Sequence, residues 1–371
     1  MFAPSFFRWG YKQVLKPIFF RMDPEVIHDR MLGAGSALGR FGITRWLTSV
    51  FFAYQHPMLE QEVLGIRFSN PVGLAGGFDK NGKLADIIPS VGFGFEEIGS
   101  ITAEPCAGNP KKRLWRLAKL KGLVVNYGLP NKGAEVIAKR LEGKVFRCPI
   151  GVNMAKTNSQ VCAVDGAGIE DHLKSIRLFK DIGDYDTINV SCPNSFGGQS
   201  FQNPEAMDRL LGALDSVQTG KPRFVKVSAD LPISEVDAMV TVAEHHNVQG
   251  FIISNLTKQY ERSGIAQELA KQGITTGGIS GKPTQELADN LIAAFYARCG
   301  DRFVLIGCGG VFSAEDAYAK IKRGASLVQL ITGMIYEGPQ LIGEINRGLV
   351  KLLKRDGYRN ISEAVGVDYR S

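Results

Sequence analysis

No run in these 371 residues approaches the roughly 18 consecutive apolar side chains of a membrane-spanning helix. The N-terminus also lacks the charged, apolar and small-residue succession of a secretory signal, so a reducing, cytosolic compartment is expected. Five histidines are scattered without paired metal spacing. Six cysteines (Cys106, Cys148, Cys162, Cys192, Cys299 and Cys308) form no CxxC and no zinc-type His/Cys pairing. Neither a metal centre nor a disulfide framework is expected. There is no low-complexity segment and no repeat at a 20–50-residue period, which removes solenoids and disordered chains.

Excess charge is scarce too. The net charge is +7, from 44 basic and 37 acidic residues. Residues 1–50 hold seven of the basic side chains and three of the acidic ones, supplying +4 of that total, so the remainder is close to balanced. Those cations lie beside Phe and Trp, and no recognition motif accompanies them. This favours an anionic membrane surface and argues against nucleic acid.

What is present begins with helices. Pro4 is suited to open one, and Pro17 is expected to close it. Between them Arg8, Lys12 and Lys16 recur every four residues as a basic stripe, with Phe7, Tyr11, Val14 and Ile18 as an apolar one. Asp23-Pro24-Glu25 starts a second helix, with Asp23 as N-cap and Pro24 at the first helical position. Phe- and Trp-rich amphipathic helices with basic flanks suit a membrane interface, so residues 1–55 are expected to form a separate segment there.

From residue 56 onward the texture is α/β. Eight apolar runs recur: 71–74, 95–98, 149–154, 187–191, 224–227, 251–254, 303–306 and 327–331. Helical stretches such as 233–246, 284–298 and 314–322 separate several of them. That alternation predicts a (β/α)8 TIM barrel over residues 56–371. Chemistry in such barrels gathers at the C-terminal strand ends, and the residues there are suggestive. The fourth run leads into Asn189-Val-Ser-Cys192-Pro-Asn194, a thiol between carboxamides ahead of a glycine-containing loop. The first is followed by Ala75-Gly-Gly-Phe-Asp-Lys80, the third carries Asn153, the fifth Lys226, and the sixth Ser254-Asn255. Glycines around Gly281, Gly309 and Gly310 leave backbone N–H groups free to hold a phosphate. A buried Lys226 without a partner is costly, so a ligand's anion or electron-rich ring is expected to face it.

Taken together, Leu74–Gly82, Glu97-Ile-Gly-Ser100, Asn109–Arg116, Asn189–Asn194, Thr276–Pro283 and Gly324–Gln329 resemble the dihydroorotate dehydrogenases. Residues 15–28 resemble their membrane-associated, quinone-using class 2 branch. The resemblance implies FMN held by Gly76, Gly77, Lys80, Ser100, Asn153, Asn189, Lys226, Ser254, Gly281, Gly309, Ile331 and Thr332. It implies a dihydroorotate-like substrate meeting Lys80, Asn189, Asn194 and Asn255, with Cys192 as the catalytic base, drawn as a thiolate. A quinone would enter past His28 and Arg116, at the cytoplasmic face of the inner or cell membrane, where the protein would sit as a peripheral protein.

Three positions depart from the class 2 pattern. Cys192 stands where that branch has serine and the soluble class 1 enzymes have cysteine. Val125 stands where members carry a substrate-binding asparagine, with Asn126 one residue away. Ile331 replaces a tyrosine near the quinone path. The ring substrate and the acceptor therefore stay open between dihydroorotate with quinone and another cyclic dihydropyrimidine or amide with a different acceptor.

Overall fold

Each of the eight apolar runs forms a strand because it is β-branched, bounded by turn residues and buried on both faces. The structure, a computed structural model, describes residues 3–199, 201–262 and 264–370. The strands are β1 (Val72–Leu74), β2 (Phe95–Ile101), β3 (Ile150–Met154), β4 (Tyr185–Asn189), β5 (Arg223–Val227), β6 (Gly250–Ile253), β7 (Val304–Cys308) and β8 (Ala325–Leu330). They close in chain order into one parallel barrel, β8 pairing with β1 and β5 with β6. The expected (β/α)8 architecture is present.

The barrel floor holds Phe68, Phe95, Tyr185, Phe224, Ile252, Ile306 and Leu327. A short hairpin, Gln61–Val63 with Ile66–Phe68, delivers Phe68 to that floor. Across the opposite, C-terminal end lies an antiparallel sheet of Leu114–Leu117, Gly122–Val125 and Gly278–Gly281. No sequence period announces it, because each strand is only four residues long and the third, Gly278–Gly281, comes from far along the chain to join the other two.

The N-terminal helices are α1 (Ala3–Gly10), α2 (Lys16–Arg21), α3 (Pro24–Gly39) and α4 (Gly42–Phe52). Asp23 caps α3 as expected, accepting from the amides of Glu25 and Val26 at 2.9 and 3.2 Å. Pro17 does not end the first helix. A π-turn over Tyr11–Leu15 joins α1 to α2, and Pro17 falls in the first turn of α2, where its missing N–H needs no partner.

The basic stripe also behaves differently from expectation, because it faces the barrel. Arg8 pairs with Glu337 and Glu344 at 3.3 Å each, Lys12 pairs with Glu337, and Lys16 lies over the Tyr336 ring. Phe7 turns inward onto Phe51 and Phe52, while Phe6, Trp9, Phe41, Ile43 and Trp46 remain exposed. A buried carboxylate attracts cations more strongly than bulk water does, which explains the turn. Among the described residues no helix is long and apolar enough to cross a membrane.

Candidate active site

One cavity of about 490 Å³ runs from the C-terminal barrel mouth to the N-terminal helices. Its inner end is lined by Gly76, Gly77, Ser100, Asn189, Lys226, Ser254, Gly281, Gly309 and Thr332. Lys80, Cys192, Asn194 and Asn255 stand at its side, and His28, Arg116 and Ile331 lie toward the helices. The barrel thus gathers residues from seven strand ends and from α3 into one space. Asn153 is the exception among the expected site residues. It is fully buried one layer behind the lining, its Nδ2 donating to Glu97 at 2.7 Å and its Oδ1 accepting from Asn189 at 3.3 Å.

Lys226 is not left waiting for a ligand. Glu97, on β2, brings Oε1 to 3.1 Å from its Nζ. Burial alone would lower this ammonium's pKa, but the Glu97 carboxylate outweighs burial and holds it above the ordinary lysine value. The ion pair supplies a protein partner that the sequence reading did not name, while Lys226 still lines the cavity where a ligand was expected to face it. Glu97 stood inside a quoted motif without a role, as did Gln329, whose Nε2 donates to Glu97 Oε2 at 2.9 Å. The available signal was a glutamate inside an otherwise apolar strand, which must find a cation or donors.

Lys80 is buried with its Nζ 4.2 Å from the centre of the Tyr127 ring. Burial pushes its pKa down to about 8, so the site favours an incoming anion that restores the charge. His28 donates through Nε2 to the carbonyl of Phe78, 2.9 Å away. Burial, then the neighbouring Lys80, push its pKa down to about 4, so the ring is neutral at physiological pH. Burial pushes the Cys192 thiol up, and the resting group is therefore the thiol rather than the expected thiolate.

Asn194 donates to the carbonyl of Val125 at 2.8 Å, and Asn255 donates to Ser191 Oγ at 3.1 Å. Val125 itself lines the cavity. Asn126 points elsewhere, accepting from Asn109 at 3.0 Å and donating to Thr276 at 3.3 Å. Arg116 donates to the carbonyl of Met22 at 2.8 Å, closing the turn between α2 and α3. Arg113 grips Glu25 through Nη2 at 2.6 Å, fixing α3 over the site.

The inner end fits a phosphorylated, flat, polar ring. Gly281 has φ +89°, and a Cβ there would lie 2.4 Å from the Lys121 carbonyl and 2.8 Å from Thr332. The backbone there consequently tolerates only glycine. A Cβ on Gly76 would meet Glu97 Oε1 at 2.6 Å, so the first strand end packs over Glu97 only as bare backbone.

The family model for dihydroorotate dehydrogenase matches residues 58–353. The chain belongs to the dihydroorotate dehydrogenase family. It is 38% identical over 355 residues to the dihydroorotate dehydrogenase (quinone) of Gloeobacter violaceus, covering 95% of this chain and 98% of that one. With the dihydroorotate dehydrogenase (quinone) of Natronomonas pharaonis it shares 39% over 365 residues, covering 97% and 99%. The ligand-free DHODH of Eimeria tenella superimposes with a TM-score of 0.83 at 29% identity, over 94% of this chain and all of that one. Its complex with ferulenol gives 0.80 at the same identity, over 94% and 96%. At 94% of this dihydroorotate dehydrogenase-family chain, each match is too long to be confined to the barrel.

Proposed function

We propose that this chain oxidises (S)-dihydroorotate to orotate in pyrimidine biosynthesis, holding FMN at the inner end of the cavity and passing electrons to a membrane quinone at the outer end. The carrying observation is the continuity of that one cavity. Lys80, Cys192 and Lys226 stand at its inner part, and Phe19, Phe20, Ile27, Met31, Leu38 and Phe52 of the N-terminal helices wall the outer part.

Bound there, FMN would supply a hydride acceptor and a route for electrons to the quinone. The chain's own residues do the rest. Lys80 binds the substrate carboxylate, and the pair gains from replacing an empty, desolvated ammonium by a neutralised one. Asn194 and Asn255 flank the ring, while Asn189 and Lys226 face the cofactor. Cys192 takes the C5 proton, and because burial keeps its resting thiol protonated, it must first be deprotonated. Lys226, kept cationic by Glu97, stabilises negative charge developing beside it. Residues 1–55 form the membrane and quinone-access segment, placing the protein peripherally on the cytoplasmic face of the inner or cell membrane. Their exposed Trp9, Phe41, Ile43 and Trp46 support that reading.

Anaerobic mixing of the FMN-loaded protein with dihydroorotate tests the half-reaction through loss of oxidised-flavin absorbance. Rapid bleaching is expected. A second reading, oxidation of a different cyclic dihydropyrimidine, is favoured by Val125, which presents methyl groups to the cavity. A flavin that stays oxidised with dihydroorotate but bleaches with another dihydropyrimidine would select it.

A further inference from the structure

Glu97 is fully buried at the centre of the barrel, and side chains from four other strands converge on its carboxylate. Oε1 accepts from Asn153 of β3 at 2.7 Å and from Lys226 of β5 at 3.1 Å. Oε2 accepts from Gln329 of β8 at 2.9 Å and from Thr187 of β4 at 3.4 Å. Gly76, just past β1, packs so close that a Cβ there would lie 2.6 Å from Oε1.

The direction of these bonds matters. A carboxylate only accepts, so Asn153 must turn its Nδ2 toward Glu97. Its Oδ1 is then aimed at Asn189, whose Nδ2 it receives at 3.3 Å alongside Ser100 Oγ at 2.8 Å. One buried charge thereby sets the orientation of Asn189, relayed through Asn153, and the position of the Lys226 ammonium. Both of these line the cavity, whereas Glu97 and Asn153 lie behind it.

We infer that Glu97 is the positioning residue of the cofactor face, orienting Asn189 through Asn153 and holding Lys226 as a fixed cation opposite the flavin ring. This rests on FMN occupying the inner end of the cavity. A neutral residue of the same shape would break the arrangement twice over. Glutamine in place of Glu97 would bring an N–H into a ring of donors, and Lys226 would lose its counter-ion while remaining buried. Its ammonium would then titrate at lower pH. The other titratable groups facing the pair are Cys308 on β7 and Tyr185 on β4, both held neutral by burial, so neither replaces the lost charge.

The test compares FMN-loaded wild type, Glu97→Gln and Gln329→Met by flavin affinity and by midpoint potential as a function of pH. Glu97→Gln is expected to bind FMN about tenfold or more weakly, as for loss of a charged hydrogen bond. Its potential–pH plot should carry an extra ionisation step that wild type lacks, which a merely structural lesion would not create. If Glu97→Gln does not fold, Gln329→Met, which frees only Oε2 and leaves Lys226 paired with Oε1, must weaken FMN binding to a smaller extent without adding the ionisation step. Wild-type affinity together with a superimposable potential–pH plot in whichever variant folds overturns the assignment of Glu97. Failure of wild type itself to take up FMN overturns the cofactor reading first, before any variant is compared.

Discussion

Buried ionisable residues decide the pH behaviour of this protein, and two of them work against each other. Lys80 must be charged to hold a carboxylate, and its pKa is pushed down to about 8. Cys192 must be a thiolate to accept a proton, and burial pushes its pKa up. In the proposed mechanism the active population needs both, so kcat/KM is expected to be bell-shaped with its maximum above pH 8, limited by the thiol on the acid limb and by the ammonium on the alkaline limb. Cys192→Ala should abolish dihydroorotate-driven bleaching while FMN stays bound, since this side chain is not needed to hold the cofactor. Bleaching at the wild-type rate would remove Cys192 from the mechanism.

A second carboxylate makes a separate residue-scale prediction. Glu96, on the outer face of β2, is fully buried, and burial followed by the adjacent Asp79 raises its pKa well above 4.5. The native state thus binds this proton more tightly than the unfolded chain. The stabilisation from protonated Glu96 is complete below pH 4.5 and is lost as pH rises through the folded value. Glu96→Gln should flatten the alkaline decline in melting temperature. A decline as steep as that of wild type would show that other groups cause it.

At the scale of elements, the N-terminal helices are held by charges that the chain pattern alone would assign to a lipid surface. Glu337, nearly buried, receives Arg8, Lys12 and Lys121. Burial would raise its pKa, yet the bonds from Lys12 and Lys121 bring it down to about 2. Glu337→Gln should release α1 and make trypsin cleavage at Arg8 and Lys12 severalfold faster, with high salt mimicking the effect in wild type. Equal cleavage rates in both proteins would remove Glu337 as the anchor. Deleting residues 1–55 takes away the outer wall of the cavity but leaves every barrel strand. Quinone reduction is therefore expected to be lost while dihydroorotate still bleaches the flavin in a stopped-flow trace. Survival of quinone turnover would place the acceptor elsewhere.

For the molecule as a whole, the consequence is that the proposed membrane contact would be governed by apolar area. With Arg8 and Lys12 committed to the barrel, the outward face of the helices offers Phe6, Trp9, Phe41, Ile43 and Trp46. Sedimentation with vesicles should weaken by roughly tenfold for a Trp9→Ser, Trp46→Ser double variant, from lost burial of large side chains. Salt should matter less than that substitution, and the reverse ranking would restore the basic stripe as the docking element.

Local pattern was enough for the barrel, because a strand buried on both faces must be an unbroken apolar run and a helix between two such runs must return on the same side. It was enough also for the strand-end residues, since closure in chain order brings Lys80, Asn189, Cys192 and Lys226 to one mouth wherever the loops run. Tertiary structure alone decided what needs a partner distant in the chain. The pairing of Lys226 with Glu97, the withdrawal of Asn153 behind the lining and the joining of Gly278–Gly281 to Gly122–Val125 over the mouth all arise from contacts between residues far apart in the chain. The inward turn of the basic stripe belongs with them. Periodicity shows that Arg8 and Lys12 share a face, but only the position of Glu337, some 329 residues from Arg8, determines what that face meets.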